Sequence, residues 1–365
     1  MKIAYIIDWD LHDNSGVLNK IFDKIRRWQK SQHVVQLYVV SYRSKNGIIP
    51  EDLQDITFIF ERPELGFLKF SVFKTYFGRN IGFKGVFSHL IAWRPDVVYY
   101  RQSFIWYPSV YKIIQNFPTI LEANTHDIAE VRLRAKFITR TIYLLQRNFF
   151  LRKIRGVIGV SHEITNLYEH IIPRRITVSN GIDTSKFSYL NIKKGKTDIV
   201  FVGTPNQAWH GVEKIEAIAQ RLPDVYFHIV GPVPERDTFA GLTNVFFHGY
   251  LENVKLSQLY NAMDIGIGSL SLYKVNLNEA SPLKVREYLA NGLPVILGYT
   301  DTDVDNLPYV LNIGNYENNV NDHLDEIAEF IKTWSGKKVK REELFDLIDV
   351  SKKEQRRLDF LESFM

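Results

Sequence analysis

This sequence predicts two doubly wound α/β domains, and three observations carry that expectation. Short apolar, β-branched runs alternate with longer amphipathic stretches along the chain. The alternation lapses around Asn180-Gly181-Ile182-Asp183 and the lysine-rich stretch Lys193–Lys196, and 365 residues exceed one ordinary hydrophobic core. Buried runs separated by helix-length segments form parallel sheets, and two such series form two domains.

In the first series Lys2–Ile7, Val34–Val40, Thr57–Phe60, Val97–Tyr100, Thr119–Glu122 and Val157–Val160 read as strands. In the second, Ile199–Gly203, Tyr226–Gly231, Val245–Gly249, Asp264–Gly268 and Pro294–Gly298 do, followed by Val310–Gly314. The charged C-terminal segment Arg341–Met365 has a helical pattern. The expected domains are 1–182, joined by a C-terminal helix over 348–365, and 183–347. Open α/β sheets bind ligands at the carboxyl ends of their strands, so the site is expected in a cleft between the two sheets.

Composition narrows the function classes. Hydrophobic residues make up 45% and charged residues 24%, as in a soluble globular protein. The absence of cysteine excludes disulfides, thiolate metal sites and a cysteine nucleophile. Met1–Ile7 runs into a strand without a signal-peptide pattern, and no apolar run reaches the length of a membrane span, so a cytoplasmic location is expected. Residues 1–200 carry 30 Lys+Arg against 17 Asp+Glu, whereas the remainder carries 16 against 24. A basic half implies an acidic partner. With no zinc-finger, RRM or KH signature, a nucleic-acid partner is not expected.

The segment Glu279-Ala-Ser-Pro-Leu-Lys-Val-Arg-Glu287-Tyr-Leu-Ala-Asn-Gly-Leu-Pro carries the chemistry. Ser281-Pro282 predicts a helix start, with serine capping free amides and proline in the first turn. Asn291-Gly292 predicts its end in a left-handed cap. Glu279 then lies in the loop before the helix and Glu287 inside it. The free amides of Leu283 and Lys284, the helix dipole and the Lys284 charge make an anion site.

These residues resemble glycosyltransferase family 4, which has two glutamates at this spacing before a helix and a Gly-x-Pro turn. The Ser-Pro-Leu-Lys version looks like bacterial surface-polysaccharide enzymes. The resemblance implies a GT-B fold and retaining sugar transfer from a nucleotide diphosphate sugar of UDP or GDP type, with no further cofactor. It implies that Glu279 contacts donor-sugar hydroxyls, Glu287 the ribose and the helix N-terminus the diphosphate. Phe201-Val-Gly203 and Trp209-His210-Gly211 resemble the loop opening the donor domain. Many members have an arginine and a lysine where this chain has Thr204 and His210, which assigns the diphosphate charge to Lys284, Arg286 and a protonated His210. Gly231, Tyr250 and Leu251 fall where members bracket the base.

In the first domain Asp13, Asn14 and Gly16 follow the first strand, and one glycine there admits close approach of a sugar or phosphate. The three-glycine dinucleotide fingerprint is absent, which argues against an NAD enzyme. Arg101, Asn124 and Asp127 resemble strand-end residues of the acceptor side, and His126 is placed for a base or sugar contact. Asp8-Trp-Asp10 and Asp301-Thr-Asp303 have a metal-binding spacing outside its usual context, so no metal is expected.

Arg132, Lys136, Arg140 and Arg147 share one face at 100° per residue, interleaved with Phe137, Ile138, Leu144, Leu145, Phe149 and Phe150. A second basic, aromatic stretch, Phe67–Trp93, includes Lys69, Lys74, Arg79 and Lys84. Both predict peripheral binding to an anionic membrane, at the inner face of the cytoplasmic membrane, and a glycan or polyprenyl-linked saccharide acceptor. Thr204 and His210 in place of the usual arginine and lysine keep open a catalytically silent nucleotide-sugar-binding subunit, against which Glu279 argues, and a nucleotide-sugar epimerase of this fold is a third reading.

Overall fold

The structure, a computed structural model, describes residues 1–11, 16–41, 49–61, 63, 71–103, 105–135, 137–187, 195–231 and 238–365. Its contacts divide the chain into a first unit, Met1–Val178 with Glu354–Met365, and a second unit, Ser179–Lys353. The sequence had placed these divisions at 182/183 and 347/348.

The first unit alternates β1 (Lys2–Asp8), α1 (Gly16–Lys30), β2 (Val34–Ser41), β3 (Thr57–Glu61), α2 (Ser71–Trp93), β4 (Val97–Arg101), α3 (Pro108–Asn116), β5 (Thr119–Ala123), α4 (Asp127–Arg134), α5 (Phe137–Leu151), β6 (Gly156–Gly159), α6 (His162–Asn166) and β7 (Arg175–Thr177). The strands form one parallel sheet, β3-β2-β1-β4-β5-β6-β7. Both faces are covered, which is why the strand sequences are continuously apolar. Ala4 and Ile6 of β1 enter one core with α2, α3 and α5, while Ile3, Tyr5 and Ile7 enter another with α1.

The second unit contains β8 (Thr197–Val202), α7 (Ile215–Arg221), β9 (Val225–Val230), β10 (Val245–Gly249), α8 (Asn253–Asn261), β11 (Ile265–Ile267), β12 (Glu279–Ala280), α9 (Leu283–Ala290), β13 (Val295–Leu297), β14 (Thr300–Asp301), β15 (Val310–Asn312), α10 (Asn319–Asp322), α11 (Leu324–Trp334) and α12 (Phe345–Ile348). Its main sheet is again parallel, β10-β9-β8-β11-β13-β15, and β12 pairs with β14 beside it. The final helix α13 (Val350–Glu362) starts in the second unit. Its later turns belong to the first, where Leu358 and Leu361 are buried beside Trp28 and Trp28 Nε1 donates to Glu354 Oε2 at 2.9 Å.

The basic face expected across residues 132–147 does not form. Arg132 lies on α4 and Arg140 and Arg147 on α5, with a break at Ala135. Lys136 lies outside the described residues, as do Phe67 and Lys69. Arg147 is buried, where its Nε meets Asp127 Oδ2 at 2.5 Å and its guanidinium covers the Tyr168 ring. Arg79 of the second stretch lies 3.3 Å from Asp8. Spacing showed that these arginines share a side, but their buried partners decide that Arg147 faces inward. Among the described residues, no helix is long and apolar enough to cross a membrane.

Candidate active site

In the second sheet the strand order reverses between β8 and β11, and a doubly wound sheet opens a crevice at the carboxyl ends of such a pair. β8 runs out into Gly203, whose amide donates to Val230 O at 3.0 Å. Gly231, after β9, has φ +93°, and a Cβ there would stand 1.9 Å from Gly203 O. Only glycine fits, because the two strand ends touch backbone to backbone.

Next, the Thr204 amide donates to His210 Nε2 at 3.2 Å. A backbone amide can only donate, so Nε2 accepts and the neutral ring carries its hydrogen on Nδ1. That nitrogen lies 3.2 Å from Ser269 Oγ, just beyond β11. His210 therefore ties together the two strands flanking the reversal. Burial, and then the nearby Lys284, push its pKa down to about 3. The protonated His210 expected from the sequence is thus corrected to a neutral ring near pH 7.

Lys284, on the first turn of α9, reaches the same point. Its Nζ lies 4.2 Å from the Phe201 ring centroid and 3.4 Å from His210 Nδ1. Burial lowers its pKa to about 7. An amine poised between charged and neutral thus sits at the positive end of a helix.

The other expected cation is elsewhere. Arg286 is fully buried, with Nη1 2.5 Å from Asp301 Oδ2 and Nη2 2.5 Å from Asp303 Oδ2. Two carboxylates neutralise it, so its charge holds α9 to the Thr300–Asp303 segment instead of facing the crevice. The same contacts engage both aspartates of the metal-like spacing, and Asp303 also accepts from Lys353 Nζ at 2.6 Å.

Ser281 does not cap α9. Pro282 occupies the cap position with φ −75° and ψ 144°, which delays the helix by a residue. Ser281 Oγ instead accepts from the Asn180 amide at 3.0 Å and from Arg286 Nη2 at 2.9 Å. At the other end Gly292 has φ +72°. Its amide donates to Leu289 O and that of Leu293 to Tyr288 O, the paired bonds of a Schellman cap.

Glu279 is buried on β12 rather than in a loop, with Ala280 level with Asp301 of β14. Glu287 Oε2 accepts from Tyr260 OH of α8 at 2.9 Å. Tyr250 is exposed beyond β10, and Leu251 packs against the unit's core. Ser269 and Tyr260 were missed by the sequence reading, which named Phe201 only as part of the Phe201-Val-Gly203 stretch. Ser269 follows Gly268 at a strand end, which was the available signal.

In the first unit Gly16 opens α1, while Asp13 and Asn14 lie outside the described residues. Arg101 ends β4, 3.5 Å from Glu122 and 5.6 Å from the Trp9 ring centroid. Asn124 follows β5, and its buried Nδ2 has no hydrogen-bond partner among the described residues. His126 Nδ1 accepts from the Ala129 amide at 3.2 Å as the cap of α4, so this nitrogen is not available as a base. Asp127 is buried against Arg147 and also accepts from Tyr143 OH, which removes it from the acceptor side.

Residues 196–334 match the family model described as "Glycosyl transferases group 1". Among solved structures, sucrose-phosphate synthase from Thermosynechococcus elongatus superposes with TM-score 0.72 at 15% identity, over 99% of this chain and 98% of that one. The chain has the GT-B fold. The lipopolysaccharide outer core galactosyltransferase WaaB is similar with TM-score 0.66 at 13% identity, over all of both chains. Anabaena Alr3699/HepE in complex with UDP gives 0.64 at 15%, also over all of both chains. No curated protein sequence matches. The family match and the shared GT-B fold support the glycosyltransferase superfamily.

Proposed function

We propose that this protein transfers a sugar, with retention, from a nucleotide diphosphate donor to a glycan or polyprenyl-linked saccharide, in the manner of family 4 enzymes of surface-polysaccharide synthesis. The observation that carries the reading is the convergence of Thr204, His210, Ser269 and Lys284 with the first turn of α9 at the reversal of the second sheet. That convergence lies within the segment matching group 1 glycosyltransferases. Lys284 and the free amides of α9 receive the diphosphate, Glu287 the ribose hydroxyls and Glu279 the sugar. Gly231, Tyr250 and Leu251 border the base. Departure of the diphosphate leaves an oxocarbenium-like sugar, and the growing negative charge is met by Lys284. Transfer of this kind uses no metal, so activity should survive EDTA; loss that only Mg²⁺ or Mn²⁺ restores would refute that point.

Calorimetry with UDP and GDP, paired with rates on three variants, tests the assignment. Glu287→Gln should weaken nucleotide binding. Glu279→Gln should bind nucleotide diphosphate normally and lose turnover. Lys284→Ala should lower kcat by about a hundredfold, the scale of one transition-state donor. If all three variants transfer sugar at the parent rate, the reading is wrong. One observation favours a silent binding subunit: of the three cations expected at the diphosphate, Arg286 is enclosed and His210 neutral. Nucleotide binding without hydrolysis or transfer would select that reading.

A further inference from the structure

Helix α5 turns the wrong side outward for a helix bathed in water. Its inward arc holds Tyr143, Arg147, Phe150 and Leu151. Its outward arc holds Phe137, Ile138, Leu144, Leu145 and Phe149, exposed at 71%, 58%, 38%, 77% and 56%. Thr141 and Asn148 complete that arc, which contains no charged residue. A solvent-facing helix surface is ordinarily polar, and a contiguous exposed apolar surface marks something that covers it.

The chain shows what kind of surface does so. Immediately after α5 come Arg152, Lys153 and Arg155, all exposed, and none has an ion-pair partner among the described residues. With Arg174 they line a cavity of about 990 Å³, and among the described residues no acidic one lines it. Arg174 is held there by Ser363 O at 2.9 Å and by stacking on Phe364. A row of apolar side chains ending in a ring of unneutralised cations combines the two features that a bilayer interface rewards, insertion below the headgroups and attraction to their phosphates. A second copy docked symmetrically through the same patch would cover the apolar row but set these cations against each other.

We propose that the outward face of α5, with the cation-lined cavity at its end, docks on an anionic phospholipid surface. The contact depends on apolar insertion as well as on charge, and it excludes Arg147. It does not rest on sugar transfer, because it is read without donor or acceptor.

Flotation with vesicles of phosphatidylcholine alone, and of phosphatidylcholine mixed with phosphatidylglycerol, tests it. The full chain should float with the mixed vesicles only. Leu145→Ser with Phe149→Ser should abolish flotation. Arg152→Gln, Lys153→Gln and Arg155→Gln together should lower the partition coefficient on the order of a hundredfold, from removal of three cations. All five positions are on the surface, and unchanged thermal melting verifies that each variant is folded. Equal recovery with neutral vesicles overturns the proposal. So does parental binding by the Leu145/Phe149 variant, which would reduce the cavity to a site for soluble anions such as inorganic pyrophosphate. A dimer on sizing that Leu145→Ser dissociates, without vesicle binding, would assign the face to a second copy instead.

Discussion

Lys284 is the residue on which the donor reading turns, and its protonation gives that reading a pH signature. Burial holds its pKa at about 7, below the usual lysine value. A diphosphate anion favours the charged amine, so above about pH 7 binding must bring one proton with it. Affinity for a nucleotide diphosphate should therefore fall by up to about tenfold per pH unit above that point, as one-proton linkage requires. Calorimetry in buffers of different ionisation enthalpy reads the uptake directly. Lys284→Arg keeps its charge and should flatten the dependence; a parental pH profile in that variant would defeat the explanation. The sign for stability is opposite. The folded pKa lies below the unfolded one, so the unfolded chain holds the proton between about pH 7 and 10.5, and stability from this group rises with pH across that window. Gly231 makes a conformational prediction at the same scale. Gly231→Ala would press a methyl to 1.9 Å from Gly203 O at φ +93° and must part the ends of β8 and β9. It should weaken nucleotide diphosphate binding and lower the melting temperature together, and parental values for both would show that the strand ends adjust freely.

At the scale of the element, α9 is held by charge as well as by packing. Arg286 lies between Asp301 and Asp303 with no exposure, so Arg286→Met strips the buried Asp301 of its cation and leaves the half-buried Asp303 with Lys353 and Ser179. Breaking a buried ion pair from one side costs about 3–5 kcal/mol, while removing the partners as well restores much of it. Denaturant unfolding should show Arg286→Met strongly destabilised and Arg286→Met with Asp301→Asn and Asp303→Asn closer to the parent; equal stability of all three would mean that the clasp contributes nothing. This clasp also marks what could be read from the sequence and what could not. The strands of both sheets other than β7 were legible because two-sided burial makes them runs of Val, Ile and Phe, and the end of α9 was legible because Asn291-Gly292 is a local signal. Its start was misread because the partner of Ser281 is Asn180, 101 residues away. Arg286 and Arg147 were misread for the same reason, since a charge looks free until its carboxylate appears from another element. β7 and the β12–β14 pair, two or three residues each, offered no periodicity to detect.

At the scale of the whole molecule, one helix serves both units with consecutive residues. Lys353 donates to Asp303 in the second unit, and the next residue, Glu354, accepts from Trp28 in the first. The turns that follow complete a core: Leu358 and Leu361 are buried among Ile3, Val35, Trp28 and Val178, and Arg357 Nη2 donates to Val178 O at 3.1 Å. One face of the first sheet is therefore covered by α1 and completed by the end of the chain. Leu361→Ala should cost about 2–5 kcal/mol, the range for a fully buried leucine truncated to alanine. The cost should fall on the first unit, because Leu361 packs within the core of that unit. Hydrogen exchange resolved by segment reads this: protection should drop in β1, β2 and α1 and remain at the parental level in β8, β9 and α9. Nucleotide diphosphate binding, which the donor reading assigns to the second unit, should persist at temperatures where the first unit has begun to open. If Leu361→Ala instead lowers protection equally across β1 and β8, the two units unfold as one cooperative body and α13 transmits the loss between them.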